Sequence, residues 1–123
     1  MIHYLLVRRD LPFGVTLAQL AHAAADSIMH SRYLALTPGT TVVVLGVRNE
    51  ITLKKWARKL SWRKHGVPHT LVREPDAPWN GQLMAIGVWP GERSKLEPIF
   101  KTLQTFRFED WTGHVPTRLE DVR

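Results

Sequence analysis

The chain has 123 residues, 44% of them hydrophobic, which is enough for one core and one domain. It contains no cysteine, which excludes a disulfide framework and a thiolate metal site, and nothing in it calls for an oxidising compartment. Lys plus Arg number 17 against 11 acids, a formal net charge of +6, and a balance of that sign in so small a domain points to a polyanionic partner, nucleic acid being the commonest.

Ile2 to Val7 is rich in β-branched and large apolar residues and stops at Arg8, Arg9 and Asp10, which predicts a buried strand. Leu11-Pro12-Phe13-Gly14 supplies turn chemistry, and Thr16-Leu17-Ala18-Gln19 matches a capping box, so a helix is predicted to begin at about Leu17. Leu17, Leu20, Ala21, Ala24 and Ile28 would form its apolar stripe, with its end before Pro38-Gly39. Thr41 to Val47 is an uninterrupted β-branched run, the pattern of a strand covered on both faces. Ile51, Leu53, Trp56, Ala57 and Leu60 predict a second amphipathic helix, terminated by Gly66 and Pro68. His69 to Arg73 reads as a third strand, Glu74 to Gly81 as a loop dense in turn residues, and Leu83 to Val88 as a fourth strand. Ser94 to Leu103 reads as a last helix, with Pro98 inside it.

The order strand, helix, strand, helix, strand, strand, helix predicts a single α/β domain. Its sheet is expected to be mixed, largely parallel and about four-stranded, with helices on both faces. The domain is drawn over residues 1–108, and 109–123 reads as a C-terminal tail of mixed charge with little periodicity. The first seven residues are too short for a signal sequence, and no apolar run approaches the roughly 18 residues needed to span a bilayer. A soluble, cytoplasmic protein that does not engage a membrane is the expectation.

Ligands in open α/β sheets bind outside the carboxyl ends of strands, which draws attention to residues 8–19, 48–50 and 74–81. The helix N-terminus there suits a phosphate or a developing oxyanion. Gln19, His22 and Asp26 fall three and four apart and share a polar stripe. Gln19 is read either as the capping partner of Thr16 or as a functional amide, and His22 with Asp26 either as an exposed helical pair or as a site wall. Lys54, Lys55, Arg58, Lys59, Arg63 and Lys64 are cations with no acid anywhere between Ile51 and Arg73. A face of one sign, with cations four apart, gains stability from an external anion and favours contact with a phosphate backbone. Trp62 interleaves with them and covers either a base or the helix end. The six histidines show no paired ligand spacing, so no metal site is expected, and the absence of a GxSxG elbow argues against a Ser-His-Asp hydrolase.

The corner Gly14-Val15-Thr16-Leu17-Ala18-Gln19-Leu20-Ala21-His22-Ala23 resembles the GKxAAQxxHA signature of the archaeal and eukaryotic type of peptidyl-tRNA hydrolase, the second of two unrelated types. Residues 7–11 resemble that family's strand-to-loop entry, Gly66 to Arg73 its GLPxxxIxD approach, and Leu83 to Gly87 its LAIGP strand, so the likeness spans roughly residues 2–106. It implies a four-stranded mixed sheet, a homodimer, and hydrolysis of the ester joining a peptide to the tRNA 3′ end without a metal or other cofactor. The family's lysine falls on Val15, its aspartate on Glu74 with Asp76 as a substitute after a small shift, and its following threonine-glutamine pair is missing. These departures, with the loop Arg73-Glu74-Pro75-Asp76-Ala77-Pro78-Trp79, resemble those of a divergent, bacterial-like subgroup.

Carried onto this chain, the resemblance makes Glu74 or Asp76 the group that orients or activates water. Gln19 and the helix N-terminus then stabilise the oxyanion, and His22 positions the water or the carboxylate. Arg8, Arg9, Lys54, Lys55, Arg58, Lys59 and Arg63 are assigned to tRNA phosphates. The competing readings are a non-catalytic module that grips tRNA or another phosphate-bearing ligand, and a hydrolase of another acyl substrate.

Overall fold

β1 (Ile2–Arg8) is buried along its whole length because it is the middle strand of the sheet. The structure, a computed structural model, describes residues 1–31, 39–62 and 66–107; the tail assigned to 109–123 lies outside the described residues. From β1 the chain enters α1 (Phe13–Ser31), β2 (Thr41–Val47), α2 (Glu50–Trp62), β3 (His69–Glu74), β4 (Gln82–Val88), α3 (Arg93–Phe100) and β5 (Gln104–Thr105). The sheet order is β3-β4-β1-β2-β5.

Two expectations about the sheet are corrected. The sheet has five strands, because the chain after α3 adds a two-residue strand to the outer edge of β2, too short to carry a periodic signal. It is also not largely parallel: β1 and β2 run parallel, whereas β1–β4, β3–β4 and β2–β5 are antiparallel. The seven residues between β3 and β4 are enough for a hairpin but too few for the crossover that a parallel neighbour needs.

Alternation along β1 divides two cores. Ile2, Tyr4 and Leu6 face Leu53, Trp56 and Leu60 of α2 and Leu96 and Phe100 of α3; Leu5 and Val7 face Ala23 of α1. Helices therefore cover both faces, as the sequence pattern predicts. On the first face the Phe100 ring lies 4.7 Å from Tyr4 and 5.7 Å from Trp56, centroid to centroid. α2 is started by Asn49, whose Oδ1 accepts the Thr52 N–H at 3.1 Å, as a helix-capping asparagine does. α3 ends at Phe100, short of the expected Leu103.

α1 departs most from its sequence reading. It begins one turn before Leu17, with Pro12 as the last non-helical residue, whose carbonyl accepts the Thr16 N–H at 2.9 Å. Thr16 is inside the helix, and its hydroxyl donates back to the same carbonyl at 3.1 Å, so it caps nothing. The fully buried residues are Thr16, Gln19, Ala23 and Ser27; of the expected stripe, Leu20 and Ala24 pack partly buried against the core, while Leu17 is 51% exposed. The reason is how closely the helix lies on the sheet. A Cβ on Gly87 of β4 would collide with the Ala23 carbonyl and lie 2.8 Å from the Ser27 Cβ, so only small residues fit at the contact. His3 of β1 locks this rotation by donating from Nε2 to Ser27 Oγ at 2.7 Å, while Ser27 donates to the Ala23 carbonyl at 2.6 Å. A leucine stripe would hold the two backbones apart.

The β3–β4 register shifts between Val72 and Arg73, which pair with Ala85 and Leu83 and leave Met84 as the extra residue. The bulge explains why consecutive Met84 and Ala85 both join the α1-side core while Leu83, Ile86 and Val88 join the other.

Candidate active site

Arg8, the last residue of β1, is 5% exposed. Its Nε and Nη2 donate to the two carboxylate oxygens of Asp10 at 2.9 and 3.0 Å, a bidentate, charge-assisted pair. Its Nη1 donates to Gln82 Oε1 at 2.9 Å and to the Leu83 carbonyl at 3.2 Å. The Leu83 N–H donates to Glu50 Oε2 at 2.8 Å. Both backbone groups of Leu83, beside the bulge, are thus held by side chains, Arg8 on one and Glu50 on the other, and this ties the exit of β1 and the first residue of α2 to the start of β4.

Across this corner Gln19, 3% exposed, donates from Nε2 to Glu74 Oε2 at 3.1 Å. The amide orientation follows from its partner, since a carboxylate only accepts. Gln19 Oε1 is then left as a buried acceptor without a hydrogen-bond partner, an unusual condition for a buried polar atom and one that a water or a substrate donor would relieve. Glu74 ends β3; its Oε1 accepts the Asp76 N–H at 3.2 Å and its carbonyl accepts the Gly81 N–H at 2.7 Å. Inside the loop the Asp76 carbonyl accepts the Trp79 N–H at 3.0 Å and the Asn80 N–H at 3.1 Å, and Asn80 and Gly81 take positive φ to close the turn. Glu74 is thereby fixed from the side chain and from the backbone.

The wall beside this pair is apolar. Val15, one helical turn before Gln19, and Trp79 both pack against the core of Leu5, Val7, Leu11 and Met84. The Arg8 guanidinium lies 5.7 Å from the centroid of the Trp79 ring, so the clamp also steadies this wall. Nothing lies within 4 Å of the place a Gly14 Cβ would occupy, which leaves the first turn of α1 open.

A buried amide and a carboxylate, joined at the mouth of a strand-to-helix corner on this mixed sheet, accompany a specific family match: the model for peptidyl-tRNA hydrolase PTH2 covers residues 1–106. The chain belongs to the peptidyl-tRNA hydrolase PTH2 family. It is a peptidyl-tRNA hydrolase-like protein. No curated protein matches the chain at a significant level.

Within this PTH2 domain the assigned residues take different places. Gln19 and Glu74 meet, so Gln19 is not a capping partner. Asp76 is exposed and touches Glu74 through its backbone N–H, and His22 is exposed on α1 one turn from Gln19. Arg8, assigned to tRNA phosphates, is buried with its donors directed at Asp10, Gln82 and Leu83, the arrangement of a clamp. Arg9 lies across Gly46, where a Cβ would strike its Nε and come within 3.1 Å of Phe106. Lys54, Lys55, Arg58 and Lys59 line the outer side of α2; Lys54 is 3.6 Å from Glu50, and the Lys59 ammonium sits 4.4 Å from the Trp56 ring centroid. Arg63 lies outside the described residues.

Gln82 escaped sequence reasoning, and Asp10, Glu50 and Trp79 fell inside the stretches singled out there but were given no role. Only Asp10 carried a signal, an acid two residues beyond a strand-end arginine. Among the described residues no cluster of three or more His, Asp or Glu is arranged to hold a metal, and no helix is long and apolar enough to cross a membrane.

Proposed function

We propose that Gln19 and Glu74 form the working centre of an esterase acting on peptidyl-tRNA or N-blocked aminoacyl-tRNA. The observation that carries this reading is the Gln19–Glu74 hydrogen bond with Gln19 Oε1 left unpaired beside it. A water donating one hydrogen to that oxygen and the other to Glu74 is held with its lone pair toward the ester carbonyl. Glu74 takes its proton as it attacks. The N–H groups of Gly14 and Val15 precede the first i→i−4 bond of α1 and have no intrahelical acceptor, which suits them to the oxyanion of the tetrahedral intermediate. Asp76 is the second carboxylate available to the water, and His22 reaches the site from solvent. Val15 supplies no proton to the departing ribose oxygen, so that proton returns from Glu74 or from water.

Lys54, Lys55, Arg58, Lys59 and the sequence-assigned Arg63, with Arg9 nearer the corner, supply the positive field for tRNA phosphates. The protein works in the cytoplasm as a homodimer on this reading, a state supported by the apolar residues Phe13, Leu17 and Met29 that α1 leaves exposed. Purified protein incubated with an N-blocked aminoacyl-tRNA should release the N-acyl amino acid. Release indistinguishable from the protein-free rate would sink the enzymatic reading and leave a tRNA-binding module.

A further inference from the structure

Trp62, the last residue of α2, is 78% exposed, the most exposed large hydrophobic side chain among the described residues. A hollow lies on each side of it. One, of about 390 Å³, is formed with Lys54, Arg58, Leu71 and Arg73; the other, also about 390 Å³, is formed with Lys55, Arg58 and Lys59. Among the described residues, no acidic one lines either hollow. Leu71, 39% exposed, and Arg73 belong to β3, the edge strand, and face α2, whereas the intervening Val72 packs on the α1 side and Glu74 meets Gln19 of α1. The hollow beside Leu71 and the Gln19–Glu74 pair therefore occupy opposite faces of one edge strand, separated along it by about 10 Å from Leu71 to Glu74.

An indole that costs exposure to water, set among cations and facing an apolar floor, matches the stacking platform and charged groove used for single-stranded nucleic acid. A duplex keeps its base faces covered and would meet only the cations. A negatively charged lipid surface would use the cations too, yet it has no use for paired hollows around one indole. Charge complementarity calls for a polyanion, and the exposed indole bordered by two hollows selects a single-stranded one.

We propose that Trp62 is a stacking platform for an unpaired nucleobase, and that the single-stranded end of the nucleic acid lies in the α2–β3 groove and crosses the β3 edge toward Glu74. The path across the edge rests on the ester-cleaving function proposed above; the stacking itself does not. Phosphates flanking the base meet Arg58 and Arg73, and Lys55 and Lys59 hold the adjoining nucleotide.

The test is binding by the full chain of a fluorescently labelled single-stranded RNA of about six nucleotides, compared with the same sequence as a blunt duplex. The single strand should bind more tightly. Trp62→Ala should weaken it on the order of 10-fold, Trp62→Phe only slightly, and neither should alter the salt dependence, since no charge is lost. Arg58→Gln should instead lower the salt slope by about 0.7. Equal binding of duplex and single strand, an unchanged affinity for Trp62→Ala, or tighter binding to phosphatidylserine vesicles that also depends on Trp62 would each overturn the proposal. Trp62 is a surface side chain, so an unchanged melting curve for Trp62→Ala confirms that its loss is local. If the protein releases no acyl group while Trp62-dependent binding persists, the esterase reading fails and this inference stands.

Discussion

Replacing Arg8 with methionine keeps most of the side-chain volume and removes every hydrogen bond it makes. Two charge-assisted bonds to Asp10, one each to Gln82 and the Leu83 carbonyl, and a long contact to Met84 Sδ at 4.0 Å are lost. Breaking a buried ion pair by deleting one partner costs about 3–5 kcal/mol, because the other is left uncompensated. The Asp10 side chain is 38% exposed and recovers part of its solvation, which lowers that share. The Leu83 carbonyl, left without its side-chain donor, adds about 1–3 kcal/mol if it finds no water. A net loss of about 3 kcal/mol follows, which at roughly 4 °C per kcal/mol lowers the melting temperature by about 12 °C. Arg8→Lys should recover only part of this, since an ammonium cannot reach the Asp10 fork and the β4 carbonyl together. Thermal and urea unfolding of Arg8→Met, Asp10→Asn and the double variant supply the cycle, and a coupling of at least about 1 kcal/mol is expected between the two sites. If Arg8→Met melts like the parent protein and instead loses RNA affinity with a shallower salt slope, Arg8 is a phosphate ligand and the clamp is wrong.

Gly87→Ala should destabilise by about 1–3 kcal/mol in urea unfolding, because the added methyl meets the α1 backbone at Ala23 rather than a movable side-chain end; Gly14→Ala, with open space around it, is the control and should fall within about 0.5 kcal/mol. Burial lowers the His3 pKa from its ordinary 6.5, so below that pH the unfolded chain takes up a proton that the folded chain resists. Stability contributed by neutral His3 is therefore complete above pH 6.5 and declines as pH falls toward the depressed folded value, and a His3→Gln variant should show a flatter profile in urea titrations across that window. His22→Ala, which removes an exposed side chain, should leave the melting temperature within about 2 °C, checked by calorimetry.

Four of the strands and the three helices were legible in the chain because their apolar runs are long and Pro, Gly and Asn punctuate them, whereas β5, two residues long, left no pattern to read. The rotation of α1 was not. Leu20 and Ala24 of its apolar stripe do pack against the core, but the helix is turned so that Leu17 is exposed and Thr16, Gln19, Ala23 and Ser27 are buried, a rotation selected by the missing side chain of Gly87 and the hydrogen bond from His3, which come from strands distant in sequence. The same hidden geometry turned a plausible capping box into a buried threonine and freed Gln19 to reach Glu74. The Gln19–Glu74 site was visible as a family pattern but not as a contact, since 55 residues separate the partners. Arg8 read as a surface cation because nothing local reveals that the β4 bulge turns a carbonyl toward it. Trp62 was ambiguous on the helix alone; β3, arriving later in the chain, supplies Leu71 and Arg73 as the other wall of the hollow.

The central claim is that Glu74, held by Gln19, cleaves the ester, and single-turnover release of the acyl group from N-blocked aminoacyl-tRNA measures it most directly. Glu74→Gln should lower the rate by about 10²–10⁴-fold with tRNA binding unchanged, the loss expected for a general base. A Glu74→Gln protein that releases product at the parent rate would contradict the account.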